Sequence, residues 1–394
     1  MPAASPLKIA IVAGETSGDA LGGALIAALR ERVASIEFLG VAGPAMRDAG
    51  CTALADAHEL AVMGLIDPLL QLPRLLRLRS MLINRIASWR PDVFIGIDAP
   101  GFNLGLAARF KSLGIATVQY VSPQIWAWRQ GRVRSIARRC DLVLCLLPFE
   151  PAFYRCHAVR AEFVGHPLAD QIPLAADRPA ARAALGLRAE QPVLALLPGS
   201  RIGEVRLLAQ PFIEAAIVLS QRRPELQLIA PMANAQVRAQ FTRVLGATPG
   251  AHQLSLRILD GQARSALIAA DVALVASGTA TLEALLCRCP MIVAYRFGNI
   301  TAWFMRTFRL VRLQHFSLPN LLSGEQVAPE FLQEDVTPGN LAAAVERALE
   351  DPARRAYLEQ RFLQVHSLLR AGGAARAADV IIQLLGDRKR ARAS

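Results

Sequence analysis

The chain has 394 residues, 53% of them hydrophobic, so it can fill two domains of ordinary size and build large cores. Its formal net charge of +12 is carried almost wholly by arginine, with lysine only at Lys8, Lys111 and Lys389, a balance that suits nucleic acid, an anionic membrane surface or a phosphorylated ligand. No helix-turn-helix, zinc-finger spacing or aromatic-rich RNA-binding strand is present, which argues against nucleic acid, and no apolar run reaches the ~18 residues of a spanning helix.

Short apolar runs alternate with helical patterns along the chain. Residues 7–13, 37–39, 93–97, 117–121, 142–146, 162–164, 193–197, 226–229, 255–258, 273–275 and 291–295 read as strands bounded by Gly, Pro or Asp. Between the first two, residues 19–33 place Leu21, Leu25, Ala28 and Leu29 on one helical face. Such alternation predicts parallel sheets in an α/β fold. The pattern restarts after the Ala- and Pro-rich stretch 171–187, so the domain boundary is expected near residue 185. A first domain over 1–185, a second over 186–340 and a helical tail over 341–394 follow from this. The tail is expected to pack back on the first domain or to exchange between chains. Two facing sheets would leave a cleft at the carboxyl ends of their strands, where open α/β sheets hold ligands.

The N-terminal Leu7–Ala13 run is too brief for the apolar segment of a secretory signal, so the expected location is the cytosol. The six cysteines, Cys51, Cys140, Cys145, Cys156, Cys287 and Cys289, form no C-x-x-C pair and read as reduced thiols. His166, in Gly165-His166-Pro167, follows a strand near the boundary; the other histidines form no ligand spacing.

Several strand-to-turn-to-helix junctions could carry chemistry. Gly14-Glu15-Thr16-Ser17-Gly18-Asp19 has the outline of a phosphate loop, but Glu15 and Asp19 put negative charge beside its amides. Asp98, in FIGIDAPGFN, stands at a strand end; a carboxylate there can take a proton from an attacking hydroxyl or simply form a turn. Trp126 and Trp128 share VSPQIWAWR with clustered arginine, which fits stacking on a sugar or an amphipathic surface helix. Leu197-Pro198-Gly199-Ser200-Arg201 turns from strand into helix and lacks the Gly-Lys-Ser/Thr ending of a nucleotide-hydrolysing loop. Helix-start amides, Ser200 and Arg201 would suit an anion. Ala276-Ser277-Gly278-Thr279 repeats the geometry, and Glu283, read in the first turn of its helix, suits a vicinal diol or the helix dipole.

Two regions are apolar and basic together. One contains Leu65, Ile66, Leu69, Leu72 and Leu76 among Arg74, Arg77 and Arg79; the other contains Trp303, Phe304 and Arg306. Core packing and contact with anionic lipid or acyl chains both fit them.

Taken together, VAGETSGD, GVAGPAM, LAVMG, FIGIDAPGFN, VSPQIWAWR, LPFEPAFY, FVGHPLAD, LLPGSR, ASGTATLEALL, CPMIVAYR and SLPNLL resemble the lipid-A-disaccharide synthases, a family of bacterial glycosyltransferases. The likeness runs from about residue 8 to about 335; Pro68 interrupts a stretch that is usually an unbroken apolar run. The resemblance implies a GT-B fold, two Rossmann-like domains with the active site between them. It implies transfer of 2,3-diacylglucosamine from UDP to lipid X, 2,3-diacylglucosamine 1-phosphate, with inversion at the anomeric carbon. The products are a β-1,6-linked disaccharide phosphate and UDP.

The same resemblance implies roles. Asp98 is the general base, and Arg201 with Ser200 and Gly199 stabilises departing UDP. Gln262, Ser277, Gly278, Thr279, Glu283 and Asn320 complete the donor side. Gly14, Glu15 and Ser17 join Asp98 on the acceptor side. No cofactor and no obligatory metal are expected, and no nucleic acid. Peripheral attachment to the cytoplasmic face of the inner membrane is expected, and the resemblance inclines to a homodimer. A GT-B enzyme acting on another lipid acceptor, or a UDP-GlcNAc epimerase, is the alternative.

Overall fold

The computed structural model describes residues 5–60, 68–128, 130–296 and 315–393. The chain divides into two units, residues 1–170 with 369–394, and residues 171–368.

The first unit is built on seven strands: β1 Leu7–Ala13, β2 Ile36–Ala42, β3 Cys51–Asp56, β4 Val93–Ile97, β5 Ala116–Tyr120, β6 Leu142–Cys145 and β7 Ala161–Phe163. They form one parallel sheet in the order β3-β2-β1-β4-β5-β6-β7. Alternation along β1 sends Ile9 and Ile11 to one face, against Leu25, Ile26 and Leu29 of the helix Thr16–Arg32. Ala10 and Val12 go to the other, where Leu106 and Phe110 of the helix Pro100–Ser112 pack with Phe94. Covering on both faces explains why the central strands read as continuous apolar runs.

The second unit repeats the plan with β8 Val193–Leu197, β9 Gln227–Met232, β10 Leu256–Asp260, β11 Val272–Ala276, β12 Met291–Tyr295 and β13 Glu330–Leu332. Its parallel order is β10-β9-β8-β11-β12-β13. The helix Ile202–Arg222 buries Leu208, Phe212, Ile213 and Leu219 over this sheet beside Leu341 and Val345 of the helix Pro338–Glu350. Each such side chain contributes roughly 1.5–3 kcal/mol.

Two expectations about the domains need correction. The unit boundary lies at 170/171 instead of near 185. The stretch read as a linker is bolted to the second sheet: Asp271, only 6% exposed, accepts from Val193 N at 2.8 Å, Arg182 Nη2 at 2.6 Å and Arg355 Nη1 at 3.1 Å. Arg178, at the start of the helix Arg178–Ala184, adds a fourth contact at 3.5 Å. Nor does the tail belong to one unit. Pro338–Glu350 and most of Pro352–Leu369 belong to the second unit. Only Gly373–Ala393 returns to the first, where Ala377, Ala378, Ile381 and Leu384 enter the core. Ion pairs Arg32–Asp379 at 2.5 Å, Arg160–Asp387 at 3.1 Å and Arg388–Asp141 at 2.8 Å fix its register.

Candidate active site

In each sheet the strand order reverses direction beside the first strand, between β1 and β4 and between β8 and β11. Ligands of open α/β sheets bind outside the carboxyl ends at this switch. The turn at Gly14–Asp19 leaves β1 and Asp98 leaves β4; Gly199–Arg201 leaves β8 and Ser277–Thr279 leaves β11. Four segments picked out from the sequence thus form two pairs, one at the switch of each unit.

On the first unit the pair is in contact. Gly14 is buried, and a Cβ there would lie 2.6 Å from the Ala99 Cβ, so the turn closes on the Asp98–Ala99 corner only with glycine. Glu15, Thr16 and Ser17 are exposed, which leaves Glu15 and Ser17 able to reach a ligand. Asp98 is half-buried, with its backbone in the left-handed region at φ +50°; its amide donates to Tyr120 O at 2.9 Å. Its carbonyl accepts from Asn103 Nδ2 at 2.9 Å and Gln119 Nε2 at 3.1 Å.

Asp19 does not charge the turn as the sequence suggested. It is 4% exposed, and its oxygens accept from Gly43 N at 2.8 Å, Ala45 N at 2.9 Å and Met46 N at 3.1 Å. GETSGD and GVAGPAM therefore belong together: the aspartate of one caps the short helix Pro44–Asp48 of the other. The negative charge facing solvent is that of Glu15 alone within the turn.

Beside this corner, VSPQIWAWR and LPFEPAFY meet in a network that sequence reasoning missed. Glu150, 2% exposed, accepts from the Trp126 indole at 3.1 Å and from Leu147 N at 3.0 Å. Ser122 Oγ and the Tyr154 hydroxyl are 3.0 Å apart, and Trp126 meets Phe149 edge-on with centroids 4.9 Å apart. Burial raises the Glu150 carboxyl to about 7 despite these donors. The cue was the Glu in a Phe-Glu-Pro helix start, but only the fold shows that it is buried. His166 belongs to the frame: burial lowers it to about 4, and its amide donates to Leu369 O at 2.9 Å where the chain re-enters this unit.

On the second unit, Gly199 has φ +132°, and Arg201 starts the helix Ile202–Arg222 with its side chain 85% exposed. Glu204, to which the sequence reading gave no role, occupies the turn. Its Oε2 accepts from Ser200 N at 3.0 Å and Arg201 N at 3.3 Å, and Oε1 lies 3.5 Å from Arg201 Nη1. The neighbouring turn presents Ser277, half-buried, and Gly278 and Thr279, both exposed; Ser277 N donates to Ala294 O at 3.0 Å. Gln262 is exposed beyond β10 and left-handed at φ +58°.

Two donor-side expectations change. Glu283 stands in the second turn of the helix Thr279–Leu286, so it does not sit at the helix start; burial raises its carboxyl against the pull of Arg264, 4.0 Å away. Asn320 is fully buried and spends its amide on the backbone. Nδ2 donates to Ala328 O at 2.8 Å, and Oδ1 accepts from Val327 N and Ala328 N, each at 2.8 Å. It shapes the segment behind SLPNLL, tying residue 320 to the backbone of residues 327 and 328.

Of the apolar-basic patches, Leu65, Ile66, Trp303, Phe304 and Arg306 lie outside the described residues, as do the side chains of Leu69 and Leu72 on the helix Pro68–Trp89. Leu76 on that helix is 51% exposed, with Arg74 and Arg77 also exposed. Among the described residues no helix is long and apolar enough to cross a membrane, and no group of three or more His, Cys, Asp or Glu is placed to hold a metal. All six cysteines are free, and only Cys156 is exposed.

The fold is shared widely. A putative UDP-N-acetylglucosamine 2-epimerase from Listeria monocytogenes superposes with a TM-score of 0.59 at 12% identity, covering 98% of this chain and 97% of that one. The calicheamicin glycosyltransferase CalG4 gives 0.58 at 18% identity, covering 97% and 98%. These likenesses establish a GT-B architecture of two Rossmann-like units. Sequence relatives go further. The lipid-A-disaccharide synthase of Xanthomonas campestris pv. campestris (strain 8004) is 48% identical over 97% of this chain and 87% of its own length. The enzyme of that name from Serratia proteamaculans (strain 568) is 48% identical over 96% and 98%. The family model for lipid-A-disaccharide synthetase matches residues 9–381. With that match spanning both sheets and all four switch-point turns, this chain belongs to the lipid-A-disaccharide synthase family.

Proposed function

We propose that this protein transfers 2,3-diacylglucosamine from UDP to the primary hydroxyl of lipid X, giving the β-1,6-linked disaccharide 1-phosphate and UDP. The observation that carries this reading is the pairing at the two switch points. One switch joins a half-buried carboxylate, Asp98, to a turn with exposed Glu15 and Ser17. The other offers an exposed arginine at a helix start beside a hydroxyl-bearing turn.

The first switch suits the acceptor. Asp98 takes the proton from the acceptor hydroxyl as its oxygen attacks the anomeric carbon, and Gly14, Glu15 and Ser17 border the sugar. The second suits the donor. The anomeric carbon–oxygen bond breaks, the electron pair leaves with UDP, and Arg201 meets the charge that develops there. Attack from the face opposite an α-linked UDP gives the β product. Ser200, Ser277, Gly278 and Thr279 supply further polar contacts to the diphosphate, and Gln262 and Glu283 contribute at the nucleoside end. Because Glu204 holds the Ser200 and Arg201 amides, the exposed Arg201 side chain carries more of the diphosphate charge than those amides.

We further propose that the protein works at the cytoplasmic face of the inner membrane, held peripherally. The net charge of +12 and the exposed Leu76, Arg74 and Arg77 support this. Incubation with UDP-2,3-diacylglucosamine and lipid X, followed by mass spectrometry, tests the reaction. The disaccharide phosphate is expected in step with UDP; UDP released with free diacylglucosamine would replace transfer by hydrolysis.

A further inference from the structure

Asp98 and Ala99 are consecutive non-glycine residues in the left-handed region, at φ +50° and +39°. Such a conformation is strained and persists only where its surroundings impose it. The imposing groups are two buried side-chain amides. Asn103 Nδ2 donates to Asp98 O at 2.9 Å, Ile97 O at 3.1 Å and, across the switch, Val12 O of β1 at 3.3 Å. Gln119 Nε2, from β5 on the other side, donates to Asp98 O at 3.1 Å and to Tyr120 O and Val121 O at 3.3 Å each. Three strand ends are thus tied to one peptide. Gly96 admits the clamp, since a Cβ there would lie 2.7 Å from the Asn103 Cβ. A glycine at 98 would relieve the strain, but it would also remove the carboxylate.

We propose that Asn103 and Gln119 are positioning residues for Asp98, holding its backbone in the left-handed corner that aims the carboxylate at the acceptor hydroxyl. The inference rests on Asp98 as the base. Neither amide touches substrate: Asn103 is fully buried and Gln119 is 1% exposed. They act through the carbonyl they share. A misplacement of about 1 Å at a reacting group costs about 100-fold in rate, which sets the size of the effect.

The test is a double-mutant cycle on the full chain, with kcat and KM measured for both substrates. Asn103→Ala and Gln119→Ala should each lower kcat about 10- to 100-fold while each KM stays within about 3-fold. On an Asp98→Ala background the same substitutions should change the residual rate by less than about 3-fold, because no carboxylate is left to aim. Gln119→Met keeps the length of the side chain but has no donor, so it should lose as much kcat as Gln119→Ala and covers a failure of Asn103→Ala to fold. UDP affinity, read on the second unit, should not move. Losses that multiply on the Asp98→Ala background, or a rise in KM at constant kcat, overturn the clamp. Full activity in Asp98→Ala alone overturns the base assignment, and the clamp with it.

Discussion

In the proposed reaction Asp98 and Arg201 divide the chemistry, so their variants should fail differently. Asp98→Ala removes the base from a corner that the Asn103 and Gln119 amides still shape, and turnover should fall about 10²- to 10⁴-fold. UDP affinity, measured by calorimetry, should be unchanged; a weakened Kd would put Asp98 on the donor. Arg201→Ala strips an 85% exposed side chain with little structural duty, so stability should hold while UDP binding weakens. Equal affinity would remove Arg201 from the diphosphate. Glu150 gives a prediction in pH. Its carboxyl is raised from 4.5 to about 7 on folding, so the unfolded chain gives up this proton first. Its stabilisation is complete below about 4.5 and is lost as pH rises to about 7, a swing of roughly 3 kcal/mol. Chemical denaturation of Glu150→Gln should show a smaller loss of stability between pH 5 and pH 8 than the parent. Identical pH profiles would show that the buried carboxyl does not titrate there.

At the scale of elements, the sequence shows most of the sheets because their central strands are apolar on both faces. Val93–Ile97, Val193–Leu197 and Met291–Tyr295 were legible to the residue. Cys51–Asp56 and Glu330–Leu332 were not: both are edge strands, with partly exposed residues and little β-branching. The boundary was misplaced because Ala- and Pro-rich sequence reads as linker, while the contact that recruits it, Arg182 to Asp271, spans 89 positions. The candidate turns were legible in outline for a related reason. Gly, Ser and Asp at strand ends are local signals, so Asp98, Gly199 and Ser277 could be found. Asp19 is bound to backbone 24 to 27 positions away, which no local signal shows, while Glu204 and Asn320 are bound to backbone close by in the chain, a use of the side chain that residue type alone does not reveal. The Asp271 cluster carries a stability prediction. Asp271→Ala leaves Arg182 buried without its carboxylate and should cost about 3–5 kcal/mol by denaturant titration; a loss under 1 kcal/mol would mean that Arg182 finds water.

For the molecule as a whole, the proposed attachment to a membrane surface rests on the net charge of +12 and on exposed Leu76, Arg74 and Arg77. Co-flotation with anionic vesicles at low salt should be lost at high salt, and Leu76→Asp with Arg74→Glu should weaken it. Absence of flotation at any ionic strength would make these residues contacts of another kind. The central claim is that the protein joins two lipid sugars with inversion. It is tested most directly by solving the linkage of the product made from UDP-2,3-diacylglucosamine and lipid X by nuclear magnetic resonance. The account requires a β-1,6 bond, with product absent or strongly reduced for Asp98→Ala; an α-linked disaccharide, or none from the parent enzyme, would contradict it.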